Sequence, residues 1–151
     1  MSKETHRHIE EFMRVHFRDP QLVFPEIHVF TGPLIRWWMR TFAFAATTVG
    51  RFIVVTPEEM RREPDGRWWM TPRLLVHECT HVVQFQRTGL VRFLLAYLRD
   101  YVRLMGERGW KPSAHKDAYR NLPVEVAARA AEADYAEWLK SRAAPARPDV
   151  T

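Results

Sequence analysis

Residues 74–84 read LLVHECTHVVQ, an apolar run broken by three ionisable residues, His77, Glu78 and His81. Two histidines four residues apart on an α-helix stand one turn above each other on the same face. Both imidazoles can then reach one metal ion. Glu78 lies about 100° further round the helix, where it can reach a water on that metal without being a ligand itself. The flanking residues predict the helix. Thr71 is a good N-cap, Pro72 suits the first helical position, and Gly89 is placed to end the helix after Thr88. His77, His81, Gln84 and Thr88 form a polar row, while Leu75, Cys79, Val82 and Gln86 form a second row and Val76 and Val83 a third. A helix apolar on most sides with one row of His and Gln is what a buried site helix requires.

The pattern H-E-x-x-H in such a helix is the arrangement used for zinc-dependent hydrolysis, with two His ligands and the Glu as general base. The expected cofactor is Zn2+, the expected ligands begin with His77 and His81, and the expected base is Glu78. Cys79 points away from the histidine row and is expected in the core.

Bulk properties narrow the alternatives. At 151 residues the chain fits one domain, expected over residues 1–141, with residues 142–151 as an aperiodic tail. The net charge is +5, but Arg and Lys are spread along the chain and no nucleic-acid signature accompanies them, so no nucleic-acid partner is expected. One cysteine excludes an internal disulfide framework. The N-terminal MSKETHRHIEEF has no apolar signal-sequence core, and no run approaches a membrane span, so a cytoplasmic location is expected.

Along the chain, residues 5–17 read as an amphipathic helix with His6 and His8 on its surface. Residues 22–31 suggest a strand, demoted to an edge by Pro25. Residues 34–40 suit a short helix. Two β-rich runs flank Val49-Gly50 as a hairpin, and Pro64, Asp65 and Gly66 mark a turn. Residues 90–106 form a second long helix with Arg92, Arg99 and Arg103 on its polar side. It is expected to pack on the core, with peripheral contact to an acidic membrane as the lesser reading. Residues 109–120 read as a loop, and a last Ala-rich helix begins near Leu122 with Asn121 as its N-cap. The fold class is therefore α+β, mostly helical, with a small antiparallel sheet or hairpin ahead of the histidine helix.

A catalytic zinc site needs a third protein ligand. Glu125, 44 residues beyond His81 and in the first turns of the last helix, is the choice. Glu132 shares its face two turns on, and either replaces it or orients a ligand. His115 would serve if its loop folds over the metal, and Asp117 lies nearby. Tyr119, in the segment leading to Glu125, is the candidate donor to a developing oxyanion.

HECTHVVQ followed by YRNLPVEVAARAAE resembles the small bacterial gluzincin-type zinc peptidases, and in particular metallopeptidase domains associated with extracellular contractile injection systems. The resemblance covers residues 74–84 and 119–132. It implies a zincin-like fold, zinc on His77, His81 and Glu125, Glu78 as base, and a polypeptide substrate. The chain departs from the pattern where gluzincins commonly place an Asp four residues after the third ligand. That position is Arg129, and Glu132 and Asp134 follow it.

Besides a membrane-surface protein using the Arg-lined helix from Leu90, two functions compete on this reading. One is a zinc-dependent peptidase, for which the strand near residues 52–55 would offer an edge to an extended peptide if it were exposed, although internal pairing is the stronger expectation for that strand. The other is a zinc-binding structural or interaction module without activity, which would not need Glu78.

Overall fold

The computed structural model describes residues 1–42, 45–62 and 68–143. The expected turn at Pro64, Asp65 and Gly66, and the tail from residue 144 onward, lie outside these. The elements are α1 (Lys3–His16), β1 (His28–Phe30), α2 (Pro33–Phe42), β2 (Ala46–Val49), β3 (Phe52–Val55), β4 (Met60–Arg62), β5 (Trp68–Met70), α3 (Pro72–Thr88), α4 (Leu90–Glu107), α5 (His115–Arg120) and α6 (Pro123–Ala143). The class is α+β and mostly helical, as expected.

The sheet is mixed rather than antiparallel. Its order is β1-β3-β2. β2 and β3 form the expected hairpin, with Thr48 opposite Ile53, and Gly50 supplies the positive φ (60°) of the turn. β1 adds in parallel on the other side of β3, with Val29 opposite Ile53. This makes β3 the central strand, so residues 52–55 are not an edge open to a peptide. The outer edge of β2 is paired with no strand among the described residues. β4 and β5 form a separate antiparallel pair. Only residues 28–30 of the expected strand at 22–31 pair. Leu22, Phe24 and Ile27 instead plug the core from irregular backbone around Pro25.

The central helix is bounded as its sequence requires. Thr71 Oγ1 accepts from the Leu74 N–H at 3.4 Å, Pro72 opens the first turn, and Gly89 at φ 78° ends the helix and starts α4. Its apolar rows bury Val76, Cys79, Val82 and Val83 against Ile53 and Val55 of the sheet, Ile9, Phe12 and Met13 of α1, and Ala131 and Tyr135 of α6. Four apolar side chains contribute roughly 1.5–3 kcal/mol each when fully buried, which fixes α3 at the centre of the molecule.

Three expectations need correction. His6 and His8 are half-buried, because α1 lies against the 22–27 segment and α6: His8 Nε2 is 3.0 Å from the Tyr135 hydroxyl, and His6 Nε2 is 3.2 Å from the Pro25 carbonyl. Residues 109–120 are not all loop. A 3-10 turn over Pro112–Ala114 leads into α5, and Ala114, Ala118 and Leu122, at helical spacing, bury against Leu104 and Met105. Asn121 closes α5 rather than capping α6, since its side-chain amide donates to the Asp117 carbonyl at 2.7 Å. No helix among the described residues is long and apolar enough to cross a membrane.

Candidate metal centre

α3 and α6 pack side by side, and the polar row of α3 meets the first turns of α6. His77 Nε2 and His81 Nε2 are 3.2 Å apart. Glu125 brings Oε2 to 3.3 Å from His77 Nε2 and Oε1 to 3.4 Å from His81 Nε2. Metal–nitrogen and metal–oxygen bonds of about 2.0–2.2 Å in a tetrahedron put ligand atoms roughly 3.3–3.5 Å apart. The triangle has that size, and His77, His81 and Glu125 form a cluster that can hold a metal ion.

The hydrogen bonds behind the histidines fix which nitrogen faces the cluster. His77 Nδ1 donates to Glu132 Oε1 at 2.7 Å, and Glu132 is in turn held by Arg73 Nε. His81 Nδ1 donates to Gln84 Oε1 at 2.8 Å, and Gln84 Nε2 donates to the Val124 carbonyl at 3.2 Å. With both Nδ1 atoms protonated, both Nε2 atoms present lone pairs to the same point as an anionic carboxylate. Such a donor set repels itself unless a cation lies between its members. In the metal-free protein a proton on an imidazole would relieve the same repulsion. Burial pushes the His77 pKa down, but Glu125, Glu78 and Glu132 outweigh it and hold it above the usual histidine value. Burial pushes the Glu125 carboxyl up, and His77 and His81 outweigh it, holding it at about 2.

Glu78 is 3% exposed, and its Oε2 accepts from Thr48 Oγ1 of β2 at 2.6 Å. Burial pushes its carboxyl up, against His81, Thr48 and His77. It opens onto a cavity of about 280 Å³ that it shares with His81, Glu125, Tyr119 and Tyr97, with Thr48 and Val49 of β2 on one wall and Phe93 and Leu94 of α4 on another. Tyr119 hydrogen-bonds to Glu125, and burial followed by the Glu125 charge pushes its hydroxyl far above the usual tyrosine value, so it remains a neutral donor. The same two causes push Tyr97 up to about 12.

The structure therefore brings together His77, Glu78, His81, Tyr119 and Glu125. Glu132 stands behind His77 rather than beside the triangle. Arg129, where an Asp was the usual residue, lies 4.0 Å from Glu125 Oε2. His115 is drawn to the Tyr101 hydroxyl on α4, and the loop it would have folded from is α5. Cys79 is buried on the far side of α3, and burial pushes its thiol well up. Sequence reasoning missed Thr48, thirty residues from its partner. It also missed Arg73 and the link between His81 and Gln84. The spacing of His81 and Gln84, one turn on the same face, was the available signal for that link.

No protein-family model matches the chain, and no solved structure matches it. Among curated proteins it is similar to cytochrome P450 734A2 of Oryza sativa subsp. japonica, with 32% identity over 91 residues. That stretch is 60% of this chain and 16% of the rice protein, so the chain spans less than a fifth of the relative's length.

Proposed function

We propose that the chain is a zinc-dependent metallohydrolase that cleaves a peptide bond. The observation that carries this reading is the placement of a buried carboxylate, Glu78, on the cavity beside the His77–His81–Glu125 triangle. A site that only ties helices together is filled by four protein ligands and has no use for a base. Here the cluster among the described residues comprises three residues and borders a cavity. The resemblance of HECTHVVQ and YRNLPVEVAARAAE to gluzincin-type peptidases points the same way.

Bound zinc supplies a Lewis acid and draws the pKa of a water toward neutrality. Glu78 takes a proton from the attacking water and passes it to the leaving amine, and its raised pKa brings it closer to the range where one group can do both. The Thr48 hydroxyl keeps the Glu78 carboxylate aimed at the cavity. The Tyr119 hydroxyl donates to the oxygen on which charge develops. Glu132 and Gln84 hold the two imidazoles in one tautomer throughout. The edge of β2 that pairs with no strand among the described residues, and whose Thr47, Thr48 and Val49 line the same cavity, suits an extended polypeptide added as a further strand.

The similarity to a cytochrome P450 supports no haem reading. The chain's one cysteine, Cys79, lies among core residues and offers no thiolate to an iron. The test is Glu78→Gln assayed with the wild type for metal content and for cleavage of an unstructured protein substrate. The variant is expected to keep its metal and lose at least about a hundredfold in rate. Unchanged cleavage would sink the mechanism.

A further inference from the structure

α4 carries a surface that the metal centre does not use. Val91, Leu94, Leu95, Leu98 and Val102 recur at intervals of one, three and four residues and form one row along about three turns. All five are exposed, from 44% at Val102 to 68% at Val91. The opposite face does the packing. Phe93 and Leu104 are buried there, and Tyr97 and Tyr101 join the cluster around Leu122. α4 thus has two apolar faces, and no described residue covers the second. The expectation that this helix simply packs on the core accounts for only one of them.

Arg92, Arg99 and Arg103 form a second row along one border of the aliphatic one, at intervals of seven and four residues. All three are exposed. Arg99 reaches Asp100 at 2.9 Å and Arg103 reaches Glu107 at 2.6 Å, exposed pairs of a kind that hold their members weakly. Arg92 has no acidic partner among the described residues. Asp100 and Glu107 are the helix's only acids, and at about 100° per residue both fall beyond the arginines, away from the aliphatic row.

We propose that this face of α4 docks on an anionic lipid surface. A bilayer interface offers an apolar boundary for the aliphatic row and anionic headgroups for the arginines beside it. A second copy of the chain fits less well. It brings the same arginines and no acidic row to meet them, and a twofold antiparallel pairing sets arginine row against arginine row. Leu94 lines both this face and the cavity at the metal centre, so docking brings the cavity mouth to the membrane. The docking needs no metal and stands apart from the proposed hydrolysis. Where that reading also holds, polypeptide at a membrane surface is the substrate within reach.

The test is co-sedimentation of the full chain with phosphatidylcholine vesicles and with vesicles that also contain phosphatidylglycerol. Wild type is expected to partition onto the anionic vesicles, less so as salt rises. Leu95→Glu with Leu98→Glu is expected to reduce partitioning about tenfold or more while leaving the melting temperature unchanged, because both side chains are already in solvent. Arg92→Gln, Arg99→Gln and Arg103→Gln together are expected to remove most of the preference for anionic over neutral vesicles. His77→Ala is expected to partition as wild type does, which separates failure of the metal reading from failure of this one. Wild type that stays off anionic vesicles overturns the proposal. If it stays off them but self-associates through Leu95 and Leu98, the face belongs to a second copy. An arginine variant with unchanged anionic preference also overturns it.

Discussion

His77 is the residue on which the site's electrostatics turn. Its Nδ1 is committed to Glu132 and its Nε2 faces Glu125 and His81, so whatever binds at Nε2 competes with a proton. Its pKa in the folded protein is raised by neighbouring carboxylates against the pull of burial. The protonated form therefore adds stability to the metal-free protein below the unfolded histidine value, and this is lost as pH rises through the folded value. Glu125 works in the opposite sense: its pKa is depressed to about 2, so its contribution is present above the unfolded carboxyl value and lost as pH falls toward 2. A metal ion bound at His77 Nε2 would have to displace any proton there. Zinc affinity is expected to rise with pH until His77 is deprotonated, with proton release seen by calorimetry in buffers of different ionisation enthalpy. An affinity independent of pH from 5.5 to 8, roughly the range histidines titrate in, would contradict this. Glu132→Ala is expected to weaken zinc binding by about 10–100-fold without removing the site, measured by competition with a chelator. The cluster of His77, His81 and Glu125 was legible from motif and spacing. Glu132 was left between ligand and orienting residue, because only the packing of α6 on α3 decides which face of the triangle it meets.

The α3–α6 pair converts sequence pattern into site geometry. Alanines 128 and 131 are fully buried on α6, and such small side chains let the two helices approach closely enough for Glu125 to reach both histidines. Ala131→Leu is expected to destabilise the protein by about 1–3 kcal/mol through overpacking and to lower zinc affinity as the helices part. Thermal melts with and without zinc would show both effects. The caps of α3 and the β2–β3 hairpin could be read locally, from Thr71, Pro72, Gly89 and Gly50. α5 could not, because its buried residue is an alanine, Ala118, which carries little hydrophobic signal. The internal pairing of residues 52–55 was the stronger expectation and holds, but the central place of that strand was not legible. β3 becomes central only because β1, more than twenty residues earlier, pairs with it in parallel, and parallel pairing leaves no turn signal in the sequence.

For the molecule as a whole, a metal that binds the folded state alone shifts the folding equilibrium. Zinc at a thousandfold excess over its Kd is expected to add about 4 kcal/mol, which for a chain of this size raises Tm by roughly 8–16 °C, and a chelator should reverse it. The exposed aliphatic row of α4 was visible as sequence, but which of its two apolar faces would be covered was not, since that depends on where α5 and the start of α6 return. The metal site is tested most directly by the zinc content of purified wild type beside His77→Ala and Glu125→Ala. One equivalent in the wild type and little in either variant is the predicted result. No metal in the wild type, or Glu125→Ala retaining zinc while His77→Ala loses it, would contradict a metal site built on His77, His81 and Glu125.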